Sequence, residues 1–268
     1  MKVAFKAIAN NKFRSFLSML GIIIGVAAVI VMMAIGQGSK ESIRQNISQM
    51  GSNIIMIRPG ADKGPGGVRQ DPSAMQTLKV DDYEKIKQNA KYCTYVSPEV
   101  SASGQVINGN NNTSTTMYGE TPEYLDIKQW EITSGSVFTD EDIKKSAKVC
   151  IVGKTVVDEL FPDGQDPVGK IIRFKSIPFR IIGVLKSKGY NSFGMDQDNL
   201  CITPYTTVMK RLTAQTYLSS INCSAITEEM TDDAIEELST ILREQHKIKE
   251  DAEDDFTIRS QQEMMETM

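Results

Sequence analysis

Residues 161–172, FPDGQDPVGKII, place four residues between Gly164 and the pair Gly169-Lys170, the G-x-x-x-x-G-K spacing of a loop that cradles nucleotide phosphates. Such a loop needs a hydroxyl after the lysine to hold magnesium, a strand before it, and a helix after it whose N-terminal amides face the phosphates. Here Ile171 stands where the hydroxyl is required, and Pro167 removes an amide donor from the loop. The β-branched, alternating run 171–175 reads as a strand and 155–160 as a helix, so the element order is inverted. The stretch is therefore predicted to be a Pro- and Gly-rich turn from a helix into a strand, not a nucleotide site.

Other reactive groups give little more. The single histidine, His246, lies in the charged run LREQHKIKED and is predicted to be a solvated surface residue, which removes Ser-His-Asp and Cys-His catalysis. No G-x-S-x-G is present, and Asp140-Glu141-Asp142 reads as an acidic helix start rather than a catalytic pair. Cys93, Cys150, Cys201 and Cys223 are widely spaced with no C-x-x-C, which excludes zinc-ribbon and thioredoxin-type sites. They read as small buried residues, and Cys150 with Cys201 is the disulfide pairing expected if that region lies outside the cytoplasm. Trp130 and Tyr190 are predicted to be packing residues rather than ligand stackers. No catalytic, cofactor-binding or metal-binding residue is assigned.

One segment sets the class. From Ser15 to Ser39 there is no charge, and residues 16–35, FLSMLGIIIGVAAVIVMMAI, are twenty mostly apolar residues. At about 1.5 Å per residue they span roughly 30 Å, the thickness of a bilayer core. A signal-peptide core is only about 7–15 residues, so a retained membrane helix is predicted. Of 30 basic residues, Lys2, Lys6, Lys12 and Arg14 precede the span with no acid among them, leaving 26 against 34 acidic ones. That asymmetry places the N-terminus in the cytoplasm and everything after about residue 37 outside. The acidic remainder offers no basic stripe for a nucleic acid. Gly21 and Gly25 form a G-x-x-x-G pair on which another helix can pack.

Beyond the span, Ile43, Ile47 and Met50 continue an amphipathic stalk helix. Residues 53–58 read as a strand, 59–67 as a loop, 80–84 as an acidic helix start and 92–106 as a strand. Asn108-Gly109 turns a hairpin into 113–118. The order recurs near the C-terminus: strand 220–226, a helix opened by Asp232-Asp233, strand 255–259. We read this as an internal β-α-β repeat contributing to one sheet. Between the copies, 148–152, 169–174 and 179–185 read as strands and 154–160 as a helix. The predicted class is α/β (α+β).

Three stretches together resemble MacB-type ABC transporter permeases within the FtsX-like group. They are residues 17–25 of the span, the run Gly135 to Asp142 containing Phe138, and Leu160-Phe161-Pro162 through Pro167 and Gly169 to Phe179, Gly183 and Leu185. The resemblance implies a basic cytoplasmic segment (1–15), a transmembrane helix (16–36), a stalk (37–52), and a split porter-like subdomain (53–126 and 216–262). It further implies an inserted small α/β subdomain (127–215), with 263–268 starting a helix toward a second span. Phe138, Phe161, Pro162, Pro167, Gly169, Phe179 and Gly183 are its structural motif residues. Such permeases form no pore; they transmit ATP-driven motion to the outer domain, for efflux or to regulate a partner protein. ATP and magnesium are then expected on a separate ATPase subunit. The implied partners are that cytoplasmic ATPase, a second permease copy or paralogue, a periplasmic adaptor and the lipid of a bacterial inner membrane. The family carries three further membrane helices after the outer domain, so the chain is expected to be the N-terminal portion of a permease. A single-span sensor or binding protein is the alternative. Against it, the cytoplasmic side offers only about fifteen residues, too few for an output domain.

Overall fold

The computed structural model describes residues 12–50, 53–60, 76–191 and 194–266. The chain divides into two compact units, Met1–Asn46 and Ile47–Met268.

Helix α1 runs Lys12–Met50, and within it Phe16–Gly38 has a mean hydropathy of 2.7 with every residue exposed. Twenty-three residues at about 1.5 Å each reach roughly 35 Å, enough to cross a bilayer.

The second unit is built on one ten-stranded sheet. Strands β1 (Ile54–Pro59), β2 (Cys93–Asn108), β3 (Asn111–Glu120), β9 (Ser220–Ala225) and β10 (Phe256–Ser260) form one end of it. Strands β4 (Ile132–Gly135), β5 (Val149–Val152), β6 (Ile171–Phe174), β7 (Ile177–Leu185) and β8 (Leu200–Pro204) form the other. The order is β10-β1-β9-β2-β3-β8-β5-β7-β4, with β6 bridging β2 and β7.

At the first end, β1, helix α2 (Val80–Asn89) and β2 form one β-α-β unit, and β9, helix α7 (Thr231–Gln245) and β10 form the other. Their strands interleave, since β9 pairs antiparallel with both β1 and β2 while β10 pairs with β1. This is the split β-α-β arrangement, in which two sequence-distant copies complete one sheet. Gly109, φ 59°, takes the first central position of the two-residue turn between Asn108 and Asn111, where a type II′ hairpin needs positive φ.

Alternation along the strands fixes the faces. Ile55 and Ile57, Val96 and Val100, and Ile221 and Cys223 point into the core beneath α2 and α7. Helix α7 meets them with Ala234, Leu238, Ile241 and Leu242, the spacing of one helical face, and α2 adds Tyr83 and Ile86. A smaller core at the second end gathers Tyr124, Leu125, Phe138, Ile151, Leu185, Leu200 and Ile202. Helix α3 (Glu123–Ile127) packs against β2 and β9 and sends Tyr124 and Leu125 into this smaller core, and helices α4 (Asp140–Lys145) and α5 (Lys154–Leu160) follow in the chain. Tyr205–Thr207 forms the short helix α6, running into a π-helical turn, Val208–Thr213. After β10, Gln261–Glu266 is helix α8.

Candidate functional site

The phosphate-loop spacing is met by a turn. Helix α5 ends at Leu160 and β6 begins at Ile171. Between them Gly164 (φ 73°) and Gly169 (φ 85°) take left-handed conformations that favour glycine. The Asp166 carboxylate accepts the Val168 amide at 3.0 Å, Lys170 N–H donates to the Pro167 carbonyl, and Gly169 N–H donates to Ile181 O at 2.7 Å. Glycine spacing here follows from turn geometry, and the amides of Val168, Gly169 and Lys170 are used within the protein.

Asp142 accepts the Thr139 amide at 2.8 Å, closing a capping box at the start of α4, so the acidic run 140–142 is a helix start.

The histidine expectation is overturned. The His246 side chain is only 9% exposed, with Nε2 3.2 Å from Asp82 Oδ2 and Nδ1 2.7 Å from Asp255 Oδ1. Asp82 also accepts the Lys79 amide at the start of α2, so His246 ties that helix start to the end of α7 and the approach to β10. A neutral imidazole has one N–H donor, so contact with two carboxylates calls for the imidazolium. The Asp82 hydrogen bond, opposed by burial and helped by Asp255, pushes the His246 pKa up to about 9.

A buried polar cluster on the opposite sheet face had no counterpart in the sequence pattern. Ser97 and Glu99 on β2, Glu120 at the end of β3 and Asn222 on β9 converge under α3. Ser97 Oγ donates to Glu120 Oε2 at 2.7 Å and accepts from the Thr121 amide at 3.0 Å, while Asn222 Nδ2 donates to Glu99 Oε2 at 2.9 Å. Glu120 is fully buried, and burial, followed by the neighbouring Glu99 charge, pushes its carboxyl well above the usual range. The two carboxyls hydrogen-bond each other only when one keeps its proton, and Glu120 Oε1 has no donor of its own. Lys128 supplies a nearby cation, although burial holds its pKa down against the pull of both glutamates.

The remaining predicted residues divide by role. Phe138, Phe161 and Phe179 are buried core side chains. Gly183 is required by close approach, since a Cβ there would meet Ser136 O at 2.7 Å. Pro162 and Pro167 flank the turn after α5. Gly21 and Gly25 lie in the membrane-length part of α1, where an added Cβ meets nothing within 4 Å. Lys2 and Lys6 fall outside the described residues; Lys12 and Arg14 lie at the start of α1, where side chains are not described.

Cys150 and Cys201, the pairing expected outside the cytoplasm, are both free thiols in this structure. Both lie on one face of the β5–β8 ladder, close enough for Cys201 to act on Cys150, and Cys201 also faces the Thr115 hydroxyl. Burial raises both thiol pKa values, Cys201 to about 12.

Trp130 packs against the smaller core, with the Lys188 ammonium 4.5 Å above its ring. Tyr190 contradicts expectation: it is 74% exposed, on a loop whose base is organised by Asp198. That carboxylate accepts the Lys188 and Gly189 amides and the Ser187 hydroxyl, leaving Tyr190 on the outer side.

A family profile described as MacB-like periplasmic core domain matches residues 15–241. Proteins named macrolide export ATP-binding/permease protein MacB are similar along nearly the whole chain. That of Rhodospirillum rubrum is 36% identical over 99% of this chain and 39% of its own length. That of Syntrophobacter fumaroxidans is 32% identical over 100% of this chain and 45% of its own. The chain thus spans less than half the length of these relatives. Among solved structures, the periplasmic region of MacB from Actinobacillus actinomycetemcomitans superposes with a TM-score of 0.65 at 25% identity, covering 83% of this chain and 95% of that one. The extracellular domain of the ABC-type transporter YknZ gives 0.61 at 19% identity over 78% of this chain and 100% of its own, a likeness of fold. A membrane-length helix followed by a split β-α-β sheet of this fold, within a profile match over most of the chain, places the protein in the MacB-like periplasmic core domain family of ABC transporter permeases.

Proposed function

We propose that the chain serves as the part of an ABC permease that carries ATP-driven motion across the membrane to an outer domain, for efflux or for regulation of a partner protein. The observation that carries this reading is the direct succession of a membrane-length helix and a domain of MacB periplasmic fold. In this reading the N-terminus is cytoplasmic, the membrane is a bacterial inner membrane, and the outer domain contacts a periplasmic adaptor. ATP and magnesium bind outside the residues described above, on a cytoplasmic ATPase. A second permease copy or paralogue packs along the membrane helices, with Gly21 and Gly25 as the close-approach positions.

The test is purification of the tagged protein that contains this chain from its native membrane. Vanadate-sensitive ATP hydrolysis should accompany it, and cysteines placed at exposed outer-domain positions should change labelling rate between nucleotide-free and vanadate-trapped states. A purified protein with no ATPase activity, or labelling indifferent to nucleotide, overturns the reading.

A further inference from the structure

Cys93 and Cys223 sit diagonally across the β2–β9 ladder with their side chains on one face. Cys93 opens β2 directly opposite Ala225, and Cys223 lies two residues from Ala225 on the same face of β9. The ladder is irregular there, with a register shift between Cys93 and Tyr95. The Cys223 thiol is fully buried and its pKa is pushed well above the usual thiol value, first by its hydrogen bond with Cys93 and then by burial. Cys93 is partly exposed, at the end of a strand that follows a turn, where a small backbone shift costs little. The other two cysteines are both fully buried, with no partly exposed thiol through which an oxidant could enter.

We propose that Cys93 and Cys223 form a redox-active dithiol that a low-molecular-weight or protein disulfide converts to an intramolecular disulfide between β2 and β9. Cys93 is the entry point. Its thiolate attacks one sulfur of the disulfide oxidant, a mixed disulfide forms, and one oxidant thiol leaves with a proton. Cys223 then gives up its proton and attacks the Cys93 sulfur, releasing the second oxidant thiol. Two protein thiols are oxidised and one disulfide is reduced to two thiols. The bond would join segments about 130 residues apart in sequence, the two β-α-β copies, and closing so long a loop restricts the unfolded chain strongly. This inference needs only an outer domain exposed to an oxidising compartment and is independent of transport.

The full chain in detergent is equilibrated with oxidised glutathione, acid-quenched, denatured and alkylated, and its peptides are mapped without reduction. The expected result is loss of two of four thiols and a linked pair of peptides containing Cys93 and Cys223. The thermal midpoint should rise by on the order of 10 °C. A Cys150→Ala/Cys201→Ala variant should form the same link, and Cys93→Ser should form none while keeping its circular dichroism. Four free thiols, glutathione held on Cys93 without a link, or a link through another pair would each overturn the proposal.

Discussion

Replacing His246 with Gln should remove stability that depends on pH in one direction only. The imidazolium is held by Asp82 from α2 and Asp255 ahead of β10, and its pKa is pushed from the ordinary 6.5 up to about 9. A tenfold tighter hold on the proton is worth about 1.4 kcal/mol, so the contribution has a ceiling of roughly 3 kcal/mol. Asp255 is 41% exposed and solvent screens its part, which lowers the expectation to about 2 kcal/mol. Because the folded state binds the proton more tightly, this stability is fully present below pH 6.5 and is lost as pH rises through about 9. The outer domain of wild type and variant is unfolded with guanidinium chloride at half-unit steps from about pH 6 to about pH 9.5, a range that brackets both values, and the difference in free energy is followed. It should be about 2 kcal/mol at the acid end and should shrink steadily above about pH 7. A difference that stays constant across the range would show that packing against Phe256, whose ring centroid is 5.8 Å away, carries the effect instead.

Three more outcomes follow from the geometry. Burial raises the Glu120 carboxyl pKa, so the folded state retains a proton there and stability should fall as pH rises above 4.5 toward that raised value; Glu120→Gln should flatten this slope in denaturation curves. Gly183→Ala forces a Cβ to 2.7 Å from Ser136 O and should cost about 1–3 kcal/mol, against about 1 kcal/mol for Gly169→Ala, where only the positive φ resists; urea midpoints distinguish them. Gly21→Leu/Gly25→Leu should leave the outer domain's melting unchanged but weaken self-association in detergent by several-fold, read by crosslinking, because an added side chain meets nothing within the chain itself.

The legible parts of the sequence were those written in local patterns. Helix α5 falls on residues 154–160 and β6 on 171–174, because a turn rich in Pro and Gly separates a helical run from an alternating one. Strand order was not legible: β9 enters between β1 and β2 from more than a hundred residues away, and no local signal marks that crossover. The misreading of His246 has the same origin. LREQHKIKED looks solvated on its own, and the partner that buries it, Asp82, lies 164 positions earlier. Glu120 was hidden differently. It follows NNTSTTMYG, where alternating polar residues announce a half-exposed strand, and only the later passage of α3 over that face closes it from water. Tyr190 misled because an aromatic residue between two glycine-containing stretches gives no sign of which side of its loop it occupies.

Continuity of the sheet constrains how the outer domain can take part in any motion. Strand β2 is sixteen residues long; it pairs with β9 through its first half and with β3 and β6 through its second. Strand β3 then pairs in parallel with β8 over five registered positions, Thr116–Leu200 to Glu120–Pro204. Separating the two groups of strands would break that ladder and uncover Met117 and Cys201, both fully buried. At a net value of about 1 kcal/mol per hydrogen bond plus the exposed apolar surface, the cost approaches the whole stability of an ordinary domain. Gly119 tightens the joint further, since α6 and the turn after it approach so closely that a Cβ would lie 2.7 Å from Val208. The two strand groups therefore move together as one body. Any displacement of this domain under the proposed function is thus expected without hinging between its own halves.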